Sequence, residues 1–291
     1  MALKENRKME NSKLVSIVIP CYNDKAYIEE SVNSALNQSY ENTEIIIVDD
    51  GSDEATKKIL SGFNHVKIKL ITQENKGLSA ARNAGIANAQ GEYILTLDAD
   101  DFFENSFLEK AVPVLESDRS VGVVGCFTQC FVDKNRIIFK YRPKGGSIGD
   151  FLYGNSAVGN SLFRKQCWLD AGGYDEKMRK GYEDWEFWIS VTKRNWKIYI
   201  IEEFLFNYRK KENSMLQITN LLHEEENYQY VLNKHKELYI EDFDQTIAFL
   251  QKRTLKYKTN EIKRLTSIDY KLGNSILKPF RFLKKIFKSK K

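Results

Sequence analysis

LVSIVIPCYN at residues 14–23 is the stretch on which the fold turns. Its first seven residues carry no charge, four of them are β-branched, and the run stops at Pro20. That is the signature of a strand buried on both faces. The pattern repeats downstream. Residues 44–48 (EIIIV) read as a second buried strand, stopped by Asp49-Asp50-Gly51-Ser52, residues 67–71 as a third and residues 93–97 as a fourth. Helical spacing fills the gaps. Asp24 can cap a segment in which Ala26, Ile28, Val32, Ala35 and Leu36 recur. A helix runs through Ile59, and an Ala-rich helix covers 78–89. Strand and helix thus alternate four times, and the strands are continuous apolar runs. Both facts predict an α/β fold with a parallel sheet covered by helices on both faces. Ligands of such sheets bind beyond the carboxyl ends of the strands. The residues to inspect are therefore Tyr22-Asn23, Asp49 to Ser52, and Asp98-Ala99-Asp100-Asp101.

From Val121 the pattern changes. Longer strands are predicted over 121–132 and 137–141 around a turn at 133–135, then a Gly-rich loop over 143–149. A strand over 157–163 and a short helix ending at Gly172-Gly173 follow. Beyond them come a helix over 182–193 with several aromatics and strands over 198–201 and 204–208. After Met215 the sequence turns helical, polar and then basic. The expected organisation is a polar tail over 1–13, an α/β domain over 14–213 and a helical region over 214–291.

A chain of 291 residues, 42% apolar and 29% charged, suffices for one large soluble domain with an appendage. Its net charge of +5 is unevenly spread: residues 251–291 hold fourteen Lys/Arg against two Asp/Glu, so the remainder is acidic. A basic tail on an acidic body points to an anionic surface met at one end, and nucleic acid is not an expected partner. In a helix, Ile276, Phe280, Leu283 and Phe287 would share one face, with Lys284, Lys285 and Lys288 elsewhere. That suits a membrane interface along 276–291; packing on the chain's own domain or on a second subunit of a homodimer is the alternative. Residues 1–13 lack the apolar stretch of a signal peptide, and no run reaches the ~20 apolar residues that span a bilayer. The expected location is cytoplasmic, with peripheral contact on the inner face of the membrane. The four cysteines, at 21, 126, 130 and 167, form no CxxC pair and read as reduced core residues.

Asp98 and Asp100, one residue apart at a strand end, repel each other unless a cation is shared between them. Mg²⁺ and Mn²⁺ favour such oxygen ligands together with substrate phosphates. A capping turn at Asp101 is the plainer reading of the same residues. Asp49 and Asp50 can accept hydrogen bonds from a nucleobase or ribose, or simply close an Asp-Gly-Ser turn. Arg82 is the long exception in the small-residue helix of the run 75–85, placed to order Asp50 or a bound donor, or else to lie on the surface. In Tyr182-Glu183-Asp184-Trp185-Glu186-Phe187-Trp188, three acids stand among large aromatics. One of them can serve as a general base, or all can complement a helix dipole.

The six motifs VSIVIPCYN, EIIIVDDGS, NKGLSAARNAG, GEYILTLDADD, GGYDE and EDW, in this order over residues 14–215, resemble the inverting glycosyltransferases of family 2. The resemblance implies a GT-A fold: a Rossmann-like nucleotide-binding half with a mixed central sheet, here followed by a C-terminal helical extension. It implies transfer of a sugar from a nucleotide-diphospho-sugar, UDP-linked above all, to a hydroxyl of a glycan or lipid-linked acceptor in polysaccharide or glycoconjugate assembly. Mn²⁺ or Mg²⁺ is the implied cofactor. Matched motif by motif, Pro20 and Tyr22 border the nucleotide, Asp50 with Asp49 meets base or ribose, and Arg82 lies beside it. Asp98, Ala99 and Asp100 take the donor and metal, Asp100 being the direct ligand. Asp184 is the implied catalytic base with Glu183 its neighbour, and Gly172, Gly173, Tyr174 and Trp185 border donor sugar and acceptor. Two departures stand out. The QxxRW motif and membrane spans of processive members are missing, which implies one sugar per encounter. Many members also place a His just after the Tyr-Arg matched by Tyr208-Arg209; Lys210-Lys211 stands there, so that third protein ligand to the metal is not supplied. A sugar-phosphate nucleotidyltransferase, a phosphatase and an inactive membrane-associated scaffold are the competing readings.

Overall fold

The computed structural model of the chain describes residues 12–133, 136–211 and 219–288. The tail over 1–11, most of the predicted turn at 133–135, the boundary at 213/214 and the last three lysine-rich positions lie outside the described residues. So do the side chains of 280–288, and with them most of the predicted basic amphipathic stripe. Two compact units emerge, residues 1–234 and 235–291.

In chain order the first unit runs β1 (Val15–Cys21), α1 (Ile28–Leu36), β2 (Thr43–Asp50), α2 (Glu54–Leu60), β3 (Ile68–Gln73), α3 (Leu78–Ala87), β4 (Tyr93–Thr96) and β5 (Phe102–Phe103). It continues with α4 (Phe107–Ser117), β6 (Val121–Asp133), β7 (Arg136–Tyr141), α5 (Ile148–Phe151), β8 (Leu162–Arg164), α6 (Lys165–Ala171), α7 (Glu183–Thr192), β9 (Lys197–Arg209), a π turn (Thr219–His223) and α8 (Glu224–Lys234). All nine strands join one sheet in the order β3-β2-β1-β4-β8-β6-β9-β5, with β7 paired to β6. The first four are parallel, as the alternation of strand and helix predicts. β8 runs antiparallel to both β4 and β6, which turns the sheet into a mixed one.

Burial explains the first half. Every residue of β1 is buried, and α1 covers it with Ile28, Val32 and Ala35. α4 adds Phe107, Leu108, Ala111 and Leu115 to the same core; each such side chain contributes roughly 1.5–3 kcal/mol when fully buried. On the other face α3 sits so close that a Cβ on Gly85 would stand 2.3 Å from Val18 Cγ1. The small residues of the 75–85 run are what permit this approach.

Several expectations change. The strand expected over 157–163 shrinks to 162–164, and residues 157–160 instead line a cleft. The two short strands expected between 198 and 208 are one 13-residue strand, paired along its length with β6 across several register shifts. β5 was not expected; two phenylalanines after an acidic run carry too little pattern. Asp24 does not cap α1 with its side chain, which instead pairs with Lys211. Asp101 caps no helix, since α4 begins only at Phe107. The four cysteines are buried and free.

The second unit comprises α9 (Lys236–Glu241), α10 (Phe243–Thr266) and α11 (Ile268–Lys288). α10 buries none of its side chains, and Ile268, Leu272, Ile276 and Leu277 on α11 are exposed. Among the described residues, no helix is long and apolar enough to cross a membrane.

Candidate active site

A cavity of about 710 Å³ opens beyond the carboxyl ends of β1, β2 and β4, where the strand-end motifs converge. Pro20, Tyr22, Asp50, Arg82, Asp98, Ala99, Asp100, Glu183, Asp184 and Trp185 all line it. Asp49, Gly172, Gly173 and Tyr174 do not.

Loops after β1 and β2 shape one end. Asn23 takes a left-handed φ of 60°, its N–H donates to Ser52 Oγ at 3.1 Å, and its Oδ1 accepts from Asp53 N at 2.7 Å. Asp49 points into the turn and accepts from Ser52 N at 2.9 Å. Asp50 instead accepts from Gln73 Nε2, Lys76 N and Gly77 N at 2.7, 2.8 and 2.8 Å. It thereby fixes the loop that enters α3. Gly51 is required here: φ is +76°, and a Cβ would lie 2.7 Å from Asn75 N.

Arg82 ties the two halves of the cleft together. It is 1% exposed, its Nη2 reaches Asp98 Oδ1 at 2.8 Å and its Nη1 reaches Glu183 Oε1 at 2.9 Å. Burial alone would favour the neutral form; Asp98 and Glu183 outweigh it and hold the guanidinium firmly charged. Arg82 does not contact Asp50, as one reading of the sequence supposed. Asp98 is further clasped by Asn160, which takes Asp98 N at 2.8 Å and donates to its Oδ2 at 3.1 Å.

Asp100 has different company. Lys211 Nζ stands 2.8 Å from its Oδ2, and Arg209 Nε donates to its backbone oxygen at 2.9 Å. Burial raises the Asp100 pKa, and Lys211 opposes the rise. Asp101 is fully buried behind it and accepts from Arg209 N at 2.7 Å; burial, then Asp100 and Asp98, push its carboxyl well above the usual range.

The opposite wall is the start of α7. Tyr182 adopts φ 67°, an uncommon conformation for a bulky residue and one that clusters at functional sites. It turns the chain so that Glu183 meets Arg82 while Asp184 faces the cleft. Asp184 Oδ2 accepts from Asn155 Nδ2 at 2.8 Å and Oδ1 from Trp185 N at 2.7 Å. Burial first, and the Glu183 charge second, push its pKa up to about 7. A carboxyl poised near neutrality is suited to take a proton. Trp185 lies deep in this wall, its indole N–H on Phe151 O at 2.6 Å and its ring tilted against Tyr228.

Gly172, Gly173 and Tyr174 lie behind the wall. The first two border a separate hollow with Asn83 and Trp168. Tyr174 is buried, stacks on Phe187 at 4.1 Å and lies under Arg82. Its segment supports the site and does not line it. Sequence reasoning missed Asn155, Asn160, Lys211 and Tyr228. Only Lys211 had left a signal, as a departure from the family pattern.

A model described as glycosyl transferase family 2 matches residues 16–169. The chain belongs to glycosyl transferase family 2. A Haemophilus influenzae protein described as an uncharacterized glycosyltransferase is 31% identical over 250 residues, spanning 78% of this chain and 76% of that protein. Glycosyltransferase GlyA of Streptococcus pneumoniae serotype 4 is 29% identical, over 70% of this chain and 32% of its own. Among solved structures, residues 1–349 of S. aureus TarS with UDP-GlcNAc superpose with a TM-score of 0.59 at 22% identity, over 71% of this chain and 61% of that one. This chain thus spans about three-fifths of that TarS fragment. The likeness establishes the fold of this family 2 glycosyltransferase as GT-A, with the mixed sheet and C-terminal helices that the motifs imply.

Proposed function

We propose that this family 2 glycosyltransferase transfers a sugar, with inversion, from a nucleotide-diphospho-sugar to a hydroxyl of a glycan or lipid-linked acceptor. The observation that carries the reading is Asp184. A carboxyl with a pKa of about 7 faces the same cleft as the strand-end residues Pro20, Tyr22, Asp50, Asp98 and Asp100. Asp184 takes the proton of the acceptor hydroxyl, and the freed oxygen attacks the anomeric carbon from the side opposite the leaving diphosphate. Asn155 and the Trp185 N–H hold the carboxylate in place for this. Arg82 is paired with both Glu183 and Asp98, which leaves Asp184 as the acid of this wall that is free of an ion pair to it. A UDP-sugar is the favoured donor, since TarS binds UDP-GlcNAc in a structure of the same fold. GDP- and dTDP-sugars are the alternatives to be tested. Assembly of surface polysaccharide is supported by relatives described as a chondroitin synthase of Escherichia coli and a putative teichuronic acid biosynthesis glycosyltransferase of Bacillus subtilis.

A divalent ion fits this donor set only in part. Both Asp98 oxygens already accept hydrogen bonds, and no three His, Cys, Asp or Glu converge among the described residues. Asp100, half-buried at the cleft, is the residue to hold Mn²⁺ or Mg²⁺, with phosphate oxygens completing the shell as is usual for these ions. Such an ion neutralises the charge that develops on the leaving diphosphate.

The test is thermal stability with UDP, GDP and dTDP, each with and without Mn²⁺, followed by a donor-hydrolysis panel. Stabilisation by one nucleotide supports the reading. A flat response to all three favours an inactive scaffold. The helices of the second unit, residues 235–291, are proposed as a separate module whose basic end, residues 276–291, rests peripherally on an anionic membrane.

A further inference from the structure

At the end of β9 the chain presents an ammonium group to the cleft. Lys211 Nζ lies 2.8 Å from Asp100 Oδ2 and 2.6 Å from Asp24 Oδ1, and 5.1 Å from the centre of the Tyr27 ring. Asp24 follows β1 and Asp100 follows β4, so one lysine draws two strand ends together. This is not the loose pairing of a surface lysine. Two residues earlier, Arg209 is buried, bonded through its backbone to Asp101 and through its guanidinium to Glu30 and the Asp100 carbonyl. The root of the lysine is fixed, while its side chain lines the cleft and stays 30% exposed.

The ammonium therefore stands at the carboxylate that a divalent ion must use. An ion held by Asp100 would share that carboxylate with an ammonium 2.8 Å from its Oδ2, and the two like charges would repel each other. With only the Asp100 carboxylate to share, each would weaken the other's hold on it. A diphosphate changes the balance, because its oxygens offer the ammonium a second partner of the same sign as Asp100.

We propose that Lys211 is a latch that couples metal binding to donor binding: it holds Asp100 while the cleft is empty and moves to a phosphate oxygen when a nucleoside diphosphate enters, releasing Asp100 to the ion. The proposal rests on the donor reading given above. It makes Lys211 a positioning residue for the donor. It also makes the two ligands reciprocal, so that each tightens the other by the same factor.

The experiment uses the full chain. Mn²⁺ is titrated without nucleotide and followed by electron paramagnetic resonance for wild type, Lys211→Met, Lys211→Gln and Lys211→Arg, with circular dichroism to confirm folding. UDP, GDP and dTDP are then titrated calorimetrically with and without Mn²⁺. Wild type is expected to bind Mn²⁺ weakly alone and at least tenfold more tightly with the preferred nucleotide. Lys211→Met and Lys211→Gln should bind Mn²⁺ alone at least tenfold more tightly than wild type and lose at least fivefold in metal-free nucleotide affinity. Lys211→Arg should retain the coupling. If wild type binds a nucleotide normally but neither neutral variant moves the Mn²⁺ affinity beyond twofold, the latch is wrong and the donor reading stands. If wild type binds none of the nucleotides even with Mn²⁺, the donor reading fails and the latch with it.

Discussion

Replacing Arg82 with Met removes the cation that pairs with one buried and one partly buried carboxylate. The Arg82 side chain is 2% exposed, Glu183 7% and Asp98 26%. Taking away one partner of a buried pair costs about 3–5 kcal/mol, because the charge left behind is unpaired and dry. Asp98 keeps Asn160 and some water, so the lower part of that range applies, about 3 kcal/mol. For a unit of this size each kcal/mol moves the melting temperature by about 2–4 °C, which sets the expected drop at roughly 6–12 °C. Thermal unfolding followed by circular dichroism measures it. The pair Arg82→Met with Glu183→Gln, which removes one orphaned charge, should recover at least a third of the loss. A drop under about 2 °C, or a double variant no better than the single one, would refute the view that Arg82 is the electrostatic tie between the two walls.

Asp184 must be ionised to take a proton, so kcat/KM should fall about tenfold per unit as pH drops below about 7 and level off above it; a profile flat from pH 5 to 8 removes Asp184 as the base. The same group acts on stability in the opposite sense. Its pKa is raised above the ordinary ~3.9, so its contribution to stability is greatest at low pH and is lost as pH rises through about 7. Asp184→Asn should keep nucleotide binding in calorimetry and abolish transfer; surviving transfer would assign the base elsewhere. Gly85→Val forces a side chain onto Val18 and Val48, with an expected overpacking cost of about 1–3 kcal/mol; an unchanged denaturant midpoint would show that α3 can lift from the sheet. Deleting 276–291 should release the protein from anionic vesicles in a flotation assay, and unchanged retention would remove the tail from membrane binding.

The sequence was most legible where burial is one-dimensional. The strands ending at Cys21, Asp50 and Thr96 are continuous apolar runs, so their parallel pairing in a covered sheet, and the placing of Tyr22, Asp50 and Asp98 at one rim, followed from pattern alone. The order of six motifs carried the family and the acid at Asp184. What pattern cannot carry is which side chain meets which across a hundred residues. Arg82 joining Asp98 to Glu183, Asn160 clasping Asp98, and the loop 157–160 lining the cleft all depend on β8 bringing distant segments beside β4. The glycine pair before Tyr174 shows the reverse: a motif near the site in sequence terms is turned away by the left-handed cap at Gly172 and by Asn83, which binds Tyr174 N and O. Lys211 shows the division most clearly. Sequence marked it as a lysine in place of an expected ligand; only the fold, by bringing the residue after β9 to the loops that follow β1 and β4, set its charge on Asp24 and Asp100.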